Sequence, residues 1–326
     1  MIFICLFSFG SFQVVLSQQY FQQQVNYNIN VSLNDKLHEL NAFETVTYIN
    51  NSPDTLHFLY FHLWPNAYSN NNTPLAKQLL RLNGKQKLFN DPELKGFIDS
   101  LNFEINGNQV RWNLLSGQPD ICQVFPDVPL NPGDSIIIST PFRVKIPKGV
   151  TSRLGHIGES YQISQWYPKP AVYDQEGWHQ MPYLDQGEFY SEFGSFDVSI
   201  TLPLNYVVGA TGNLQNQPEI EMLDKLASDT AWYKKTDMEG TSFPTSSKQT
   251  KTLRYTANQV HDFAWFADKR FHVLKGKVLL PDSGREITTW VMFTNEQAEL
   301  WKDALQYVND AILFFSKHIG DYPYES

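Results

Sequence analysis

Histidine is the side chain most often found holding a metal or moving a proton near neutral pH. This sequence has eight: His38, His57, His62, His156, His179, His261, His272 and His318. A helix brings two imidazoles onto one metal when they stand four apart with a general-base glutamate between, as H-E-x-x-H. No pair has that spacing. His38-Glu39 begins the pattern, but Ala42 stands where the second histidine is required. His57 and His62 are five apart in a strand-like run, and an odd separation sends strand side chains to opposite faces. Each reads as a hydrogen-bonded core or rim histidine. Neither a Gly-x-Ser-x-Gly nucleophile turn nor a Gly-x-Gly-x-x-Gly phosphate loop occurs. No catalytic or metal-binding set is expected among these 326 residues.

The densest cluster of chemically versatile residues runs from Gly155 to Gly194. It holds Gln162, Gln165, Trp166, Tyr167, Asp174, Trp178, His179, Asp185, Glu188 and Glu192. Loops this rich in aromatics and carboxylates line binding surfaces. The same residue types also fill a core while their carboxylates face water, and from residue types alone that second reading carries more weight.

Strands must position this segment. Aromatic residues make up 14% of the chain, and flat side chains pack well on a pleated surface. Val25, Tyr27, Ile29, Val31 and Leu33 alternate with polar residues, as in a strand with one buried face. Further strands are expected at Glu44–Ile49, Thr55–Trp64, Ser135–Ile146, Phe196–Leu202, Tyr206–Ala210 and Lys251–Thr256. Turn signals such as Asn106-Gly107 and Asn131-Pro132-Gly133 separate them. A short helix is expected at Pro74–Leu82, and 215–250 reads as an irregular polar insertion. After about Phe271 the character changes. A strand pair, Lys277–Leu280 with Glu286–Phe293, precedes a long helix over Glu296–His318. Its apolar face is Ala298, Trp301, Leu305, Val308, Ile312, Phe315 and Ile319, with Thr294 and Gln297 as a capping box and Gly320 as the stop.

Residues 1–18 read as a signal peptide, because the apolar run Ile2–Leu16 is shorter than the roughly 20 residues that span a bilayer. Localisation is therefore expected to be secreted or periplasmic, with no membrane span in the mature chain. Cys5 would leave with the leader, and Cys122 alone makes no internal disulfide. The net charge of −9 argues against a phosphate-binding surface, which needs clustered Lys and Arg, so nucleic acid is not an expected partner.

At the dense cluster the chain resembles the aminopeptidase N family of zinc metallopeptidases (gluzincins, peptidase family M1). Ser164-Gln165-Trp166-Tyr167-Pro168 is similar to the family's S/T-Q-x-E/Q segment, and Lys169–Tyr183 stands where the family carries its Phe-Pro-Cys-x-Asp-Glu-Pro region. Glu192–Ile200, then Pro203 and Val207-Val208-Gly209-Ala210-Thr211-Gly212, resemble the strand and hairpin that follow. His261–Ala267 looks like the close of the β domain, Asp321-Tyr322-Pro323-Tyr324 like the approach to the catalytic sheet, and Phe61–Tyr68 is similar to a bacterial branch. The likeness covers roughly residues 25–326.

The resemblance implies a mainly β fold. A saddle-like β-sandwich domain over 19–272 would be followed, from 273 to 326, by the truncated start of a thermolysin-like α/β catalytic domain. It implies zinc in the full-length parent, held by H-E-x-x-H and a later glutamate beyond Ser326, and a peptide substrate with a free N-terminus. The β domain's share of the site maps to Gln165, whose amide oxygen would accept a hydrogen bond from the substrate ammonium. Tyr167 occupies the position the family gives to Glu or Gln, and a hydroxyl anchors a cation less strongly than a carboxylate. Without zinc ligands the chain is expected to be inactive alone. A non-catalytic binding or scaffold relative is the alternative, motivated by Tyr167 and the divergent Lys169–Tyr183. An exported carbohydrate-binding sandwich, suggested by Trp64, Trp166 and Trp178, is a third.

Overall fold

The computed structural model describes residues 20–84, 88–149, 151–187, 189–229 and 242–326. The leader at 1–18 with Cys5, and also Glu188, lie outside the described residues. Strands take 42% of the chain and helices 19%, so the fold is mainly β.

The expected alternation becomes strand β1 (Gln24–Asn34). Val25, Tyr27, Ile29, Val31 and Leu33 all point into the core, and burying each contributes about 1.5–3 kcal/mol. Strand β2 (Glu39–Ile49) begins five residues before its expected start. Its inward positions include Leu40, Glu44, Val46 and Tyr48, while Phe43 is exposed. A carboxylate facing in and an aromatic facing out hide the period of two. Strand β3 (Leu59–His62) is shorter than expected, because Trp64–Tyr68 folds as a single 3-10 turn with Pro65 in its first turn. Helix α1 (Pro74–Asn83) forms as expected, with the Thr73 hydroxyl accepting from the Ala76 N–H. Strands β4 (Ser135–Lys145), β5 (Gly194–Pro203) and β6 (Thr250–Val260) complete the centre of a large sheet ordered β6-β5-β1-β2-β4.

All of these neighbours are antiparallel except β1 and β5. A parallel pair needs a long crossover. Here the crossover carries one four-stranded sheet whole and two strands of a second, completed by Val207–Ala210 and Trp265–Asp268 after β5. Buried side chains of both sheets share one core cluster with the large sheet. Gly194 opens β5 so close to β1 that a Cβ there would lie 1.5 Å from the Val25 carbonyl oxygen. Asn106 and Gly107, both at positive φ, form the two-residue turn between Glu104–Ile105 and Asn108–Gln109.

Two expectations are corrected further on. The segment 215–250 is not wholly irregular, because Gln217–Ser228 is a helix, α2, with Pro218 in its first turn. Residues 230–241 lie outside the described residues. The long helix over 296–318 is broken. A short turn at Ala298–Trp301 is separated by Lys302 and Asp303 from helix α3 (Ala304–His318), and Thr294 makes no side-chain cap bond. Leu305, Val308 and Ile312 face the strand pair β7 (His272–Leu279) and β8 (Glu286–Phe293), with Ser316 taking the next inward position. Phe315 and Ile319 are therefore exposed, as is Trp301 on the far side of the break. Helix α2 packs on the other face of the pair through Leu223, Met222 and Leu226. Among the described residues no helix is long and apolar enough to cross a membrane.

Candidate functional site

The segment Ser164–Pro168 joins the strand Ser160–Ile163 to the two-residue strand Lys169–Pro170, which pairs with β3. At its centre Gln165 has φ +55°. That left-handed conformation costs an L-residue with a Cβ about 1–2 kcal/mol. The residue is 3% exposed, and its amide oxygen has no hydrogen-bond partner. A buried orphan acceptor on strained backbone is an arrangement that packing alone does not favour.

The neighbours of Gln165 are fully committed. Trp166 is buried and donates its indole N–H to the Phe263 carbonyl at 3.1 Å. The Tyr167 ring stands edge-on to Tyr27 and Phe196, and its hydroxyl donates to Asp262 Oδ1 at 2.7 Å. The same oxygen accepts from Lys169 Nζ at 2.8 Å and from the Phe263 backbone N–H at 2.9 Å. Lys169 Nζ also reaches Ser191 Oγ at 3.2 Å. Burial lowers the Lys169 pKa from its ordinary value, with Asp262 opposing the shift. Burial, reinforced by Asp262, raises the Tyr167 hydroxyl well above its usual range, so it remains a donor.

The rest of the cluster separates. Asp174 and His179 meet across the hairpin Tyr173–Asp174/Gly177–Trp178, with His179 Nε2 2.7 Å from Asp174 Oδ1 and the Tyr190 hydroxyl donating to the other oxygen at 3.2 Å. Gln162 donates to the Arg153 carbonyl, and the Asp185 N–H is held by Gln78. Burial pushes Glu192 up to about 7. Trp64 and Trp166 are buried and Trp178 half-buried against Tyr60 and Tyr173, so Trp64 and Trp166 offer no open ring face to a sugar.

Of the histidines, His62 is a core residue: its ring stacks on Trp64 at 4.5 Å, and burial, with Lys169 adding to it and a backbone hydrogen bond with His179 opposing it, lowers its pKa to about 3. His57 is exposed and lies ahead of the strand rather than on its opposite face. His38 and His156, far apart in sequence, stack with ring centroids 3.7 Å apart. A cavity of about 130 Å³ is lined by His156, Tyr161, Phe266 and Phe271 among others, but not by Gln165 or Tyr167. Among the described residues no three His, Cys, Asp or Glu side chains come together in a way that could hold a metal ion.

The resemblance pointed to Gln165 and Tyr167 but not to Asp262, which organises the segment from 93 positions away in sequence relative to Lys169. A signal was present. Lys169 sits between two prolines beside an apolar run, and a buried lysine requires a carboxylate.

The fold has known counterparts. An M1 zinc metallopeptidase from Deinococcus radiodurans matches with a TM-score of 0.53 at 14% identity, over 93% of this chain and 55% of that one. A mutant M1 zinc metallopeptidase from the same organism, bound to a Tyr-Ser-Ala substrate, matches with a TM-score of 0.50 at 13% identity over the same shares. A two-domain M1 zinc metallopeptidase mutant bound to L-tryptophan gives 0.52 at 14%, again over 93% and 55%. The chain spans little more than half the length of these structures. No protein-family model and no curated protein matches it by sequence. At these identities the likeness is one of fold, shared with about half the length of M1 zinc metallopeptidase structures.

Proposed function

We propose that this chain is the N-terminal portion of an exported zinc aminopeptidase, and that its own contribution is to read the substrate's free amino group. The observation that carries this reading is the buried, unpartnered amide oxygen of Gln165 on left-handed backbone. A substrate ammonium would give that oxygen the donor it lacks. A hydrogen bond to a charged group is worth about 1.5–3 kcal/mol, enough to select a free N-terminus over a blocked one by tenfold or more. Tyr167 acts one step behind, because its hydroxyl is held by Asp262 and fixes the segment that presents Gln165. Zinc, when bound elsewhere in such a protein, would polarise the scissile carbonyl and supply the attacking water. The residues described here would hold and orient the amino end. By itself the chain is expected to be secreted or periplasmic and inactive.

The test is Gln165→Gly. Relief of left-handed strain (about 1–2 kcal/mol) and removal of an orphan oxygen (about 1–3 kcal/mol) offset the loss of two buried methylenes at about 0.8 kcal/mol each. Stability should therefore be unchanged or higher. Binding of L-alaninamide, followed by chemical shifts of the side-chain amides, should weaken at least tenfold, while N-acetyl-L-alaninamide binds neither form. Equal binding by both forms, or no preference for the free amine, contradicts the reading.

The scaffold alternative draws on the same geometry. With the Tyr167 hydroxyl occupied by Asp262, the segment has one free acceptor where an amine-reading pair would have two. Wild-type chain that binds no amino-acid amide would favour it.

A further inference from the structure

We infer that Trp64, Tyr167, Phe189 and Asp262 form a binding cage for primary alkylammonium ions, which the native chain fills with its own Lys169. The Lys169 Nζ lies 5.0 Å from the Trp64 ring centroid, 5.3 Å from that of Tyr167 and 5.2 Å from that of Phe189. All three are within the ~6 Å over which a ring face attracts a cation. The carboxylate of Asp262 supplies the counter-charge at 2.8 Å and Ser191 a neutral oxygen at 3.2 Å. The lysine side chain is 2% exposed, so these groups stand in for the ammonium's water shell.

The walls of the cage are held by contacts that do not involve the lysine. Trp64 stacks on His62 and meets Phe189 edge-on, Tyr167 rests on Tyr27 and Phe196, and Phe189 stacks on His261. Asp262 is fixed by the Phe263 N–H and the Tyr167 hydroxyl. Shortening Lys169 should leave the rings and the carboxylate standing. The preference is for a compact ammonium. A guanidinium presents five donors in a planar fork, and the oxygens facing the charge are one from Asp262 and one from Ser191. The inference is independent of the peptidase reading, because the cage is filled from within and its test reads stability rather than substrate binding.

Lys169→Ala keeps Cβ and removes three carbons and the nitrogen, the outline of n-propylammonium. The variant should melt below wild type. n-Propylammonium chloride at about ten times its dissociation constant should raise the variant's midpoint by about 3 °C, saturably, and leave wild type unmoved. Neither n-propanol nor guanidinium chloride at matched concentration should raise it. Adding Asp262→Asn to Lys169→Ala should abolish the response to the amine. An equal response to n-propanol would mean an apolar hole and would overturn the inference, as would a response that never saturates or no response at all. If Lys169→Ala does not fold unaided, refolding yield replaces the midpoint. Rescue by the amine and not by the alcohol supports the cage, whereas equal rescue or none overturns it.

Discussion

Asp262→Ala is expected to lower the unfolding free energy of the chain by about 3–5 kcal/mol, because it strands the buried Lys169 ammonium without a counter-charge. The same change takes the acceptor from the Tyr167 hydroxyl and the Phe263 N–H. An exposed ion pair would cost about 1 kcal/mol or less, so the size of the effect distinguishes a buried organiser from a surface contact. The companion double variant, Asp262→Ala with Lys169→Met, should recover most of the loss, since replacing both members of a buried pair is often near neutral. Urea midpoints of the two singles and the double measure the coupling. Asp262→Ala costing less than about 1 kcal/mol, or a double no better than that single, contradicts the role assigned to this carboxylate.

Glu44 should behave in the opposite sense. It occupies an inward position of β2, between Ile29 and Thr140 of the flanking strands, and neither of its carboxyl oxygens has a partner. Burial holds its pKa well above the ordinary carboxylate range. The folded chain therefore keeps a proton that the unfolded chain releases above about pH 4.3. While the folded state binds more protons than the unfolded one, stability must fall as pH rises, by up to about 1.4 kcal/mol per pH unit for one group. Glu192, pushed up to about 7, contributes with the same sign from about pH 4.3 to about pH 7. Glu44→Leu should raise stability at pH 7 by about 1–3 kcal/mol. It should also reduce the slope between pH 5 and 8, leaving a remainder that ends near pH 7 where Glu192 has titrated. A slope unchanged by Glu44→Leu would mean that another group carries it.

These two side chains also mark how far the sequence could be read. Where each position follows the period of its element, as in Val25 to Leu33 or the β4 run ending at Val144, residue types suffice to place the strand and its buried face. At Phe43 and Glu44 the pattern reverses, since one exposed ring and one buried carboxyl conceal five residues of β2. Helix α2 hid for a related reason. It is largely polar, its buried side chains are Glu219 and Leu223, and its apolar stripe is defined by a sheet that forms much later in the chain. The break at Lys302-Asp303 has no glycine or proline to announce it. Within the site, the likeness of Ser164–Pro168 to a known segment drew attention to Gln165 and Tyr167. Nothing local could show that Gln165 lacks a partner or that Tyr167 has Asp262. Those are tertiary facts, created when the loops after β6 and before β5 close over β3.

The eight histidines bear on the central claim, that this chain orients an amino terminus without holding the metal. His38 stacks on His156 and His179 pairs with Asp174, but among the described residues no further His, Cys, Asp or Glu joins either pair in a way that could hold a metal ion. The decisive measurement is the zinc content of the purified 326-residue chain after zinc saturation and gel filtration, read beside its hydrolysis of an L-aminoacyl chromogenic amide. The account predicts far less than one zinc per chain and no chelator-sensitive hydrolysis. One tightly held zinc per chain, with hydrolysis that a chelator abolishes and zinc restores, would contradict it.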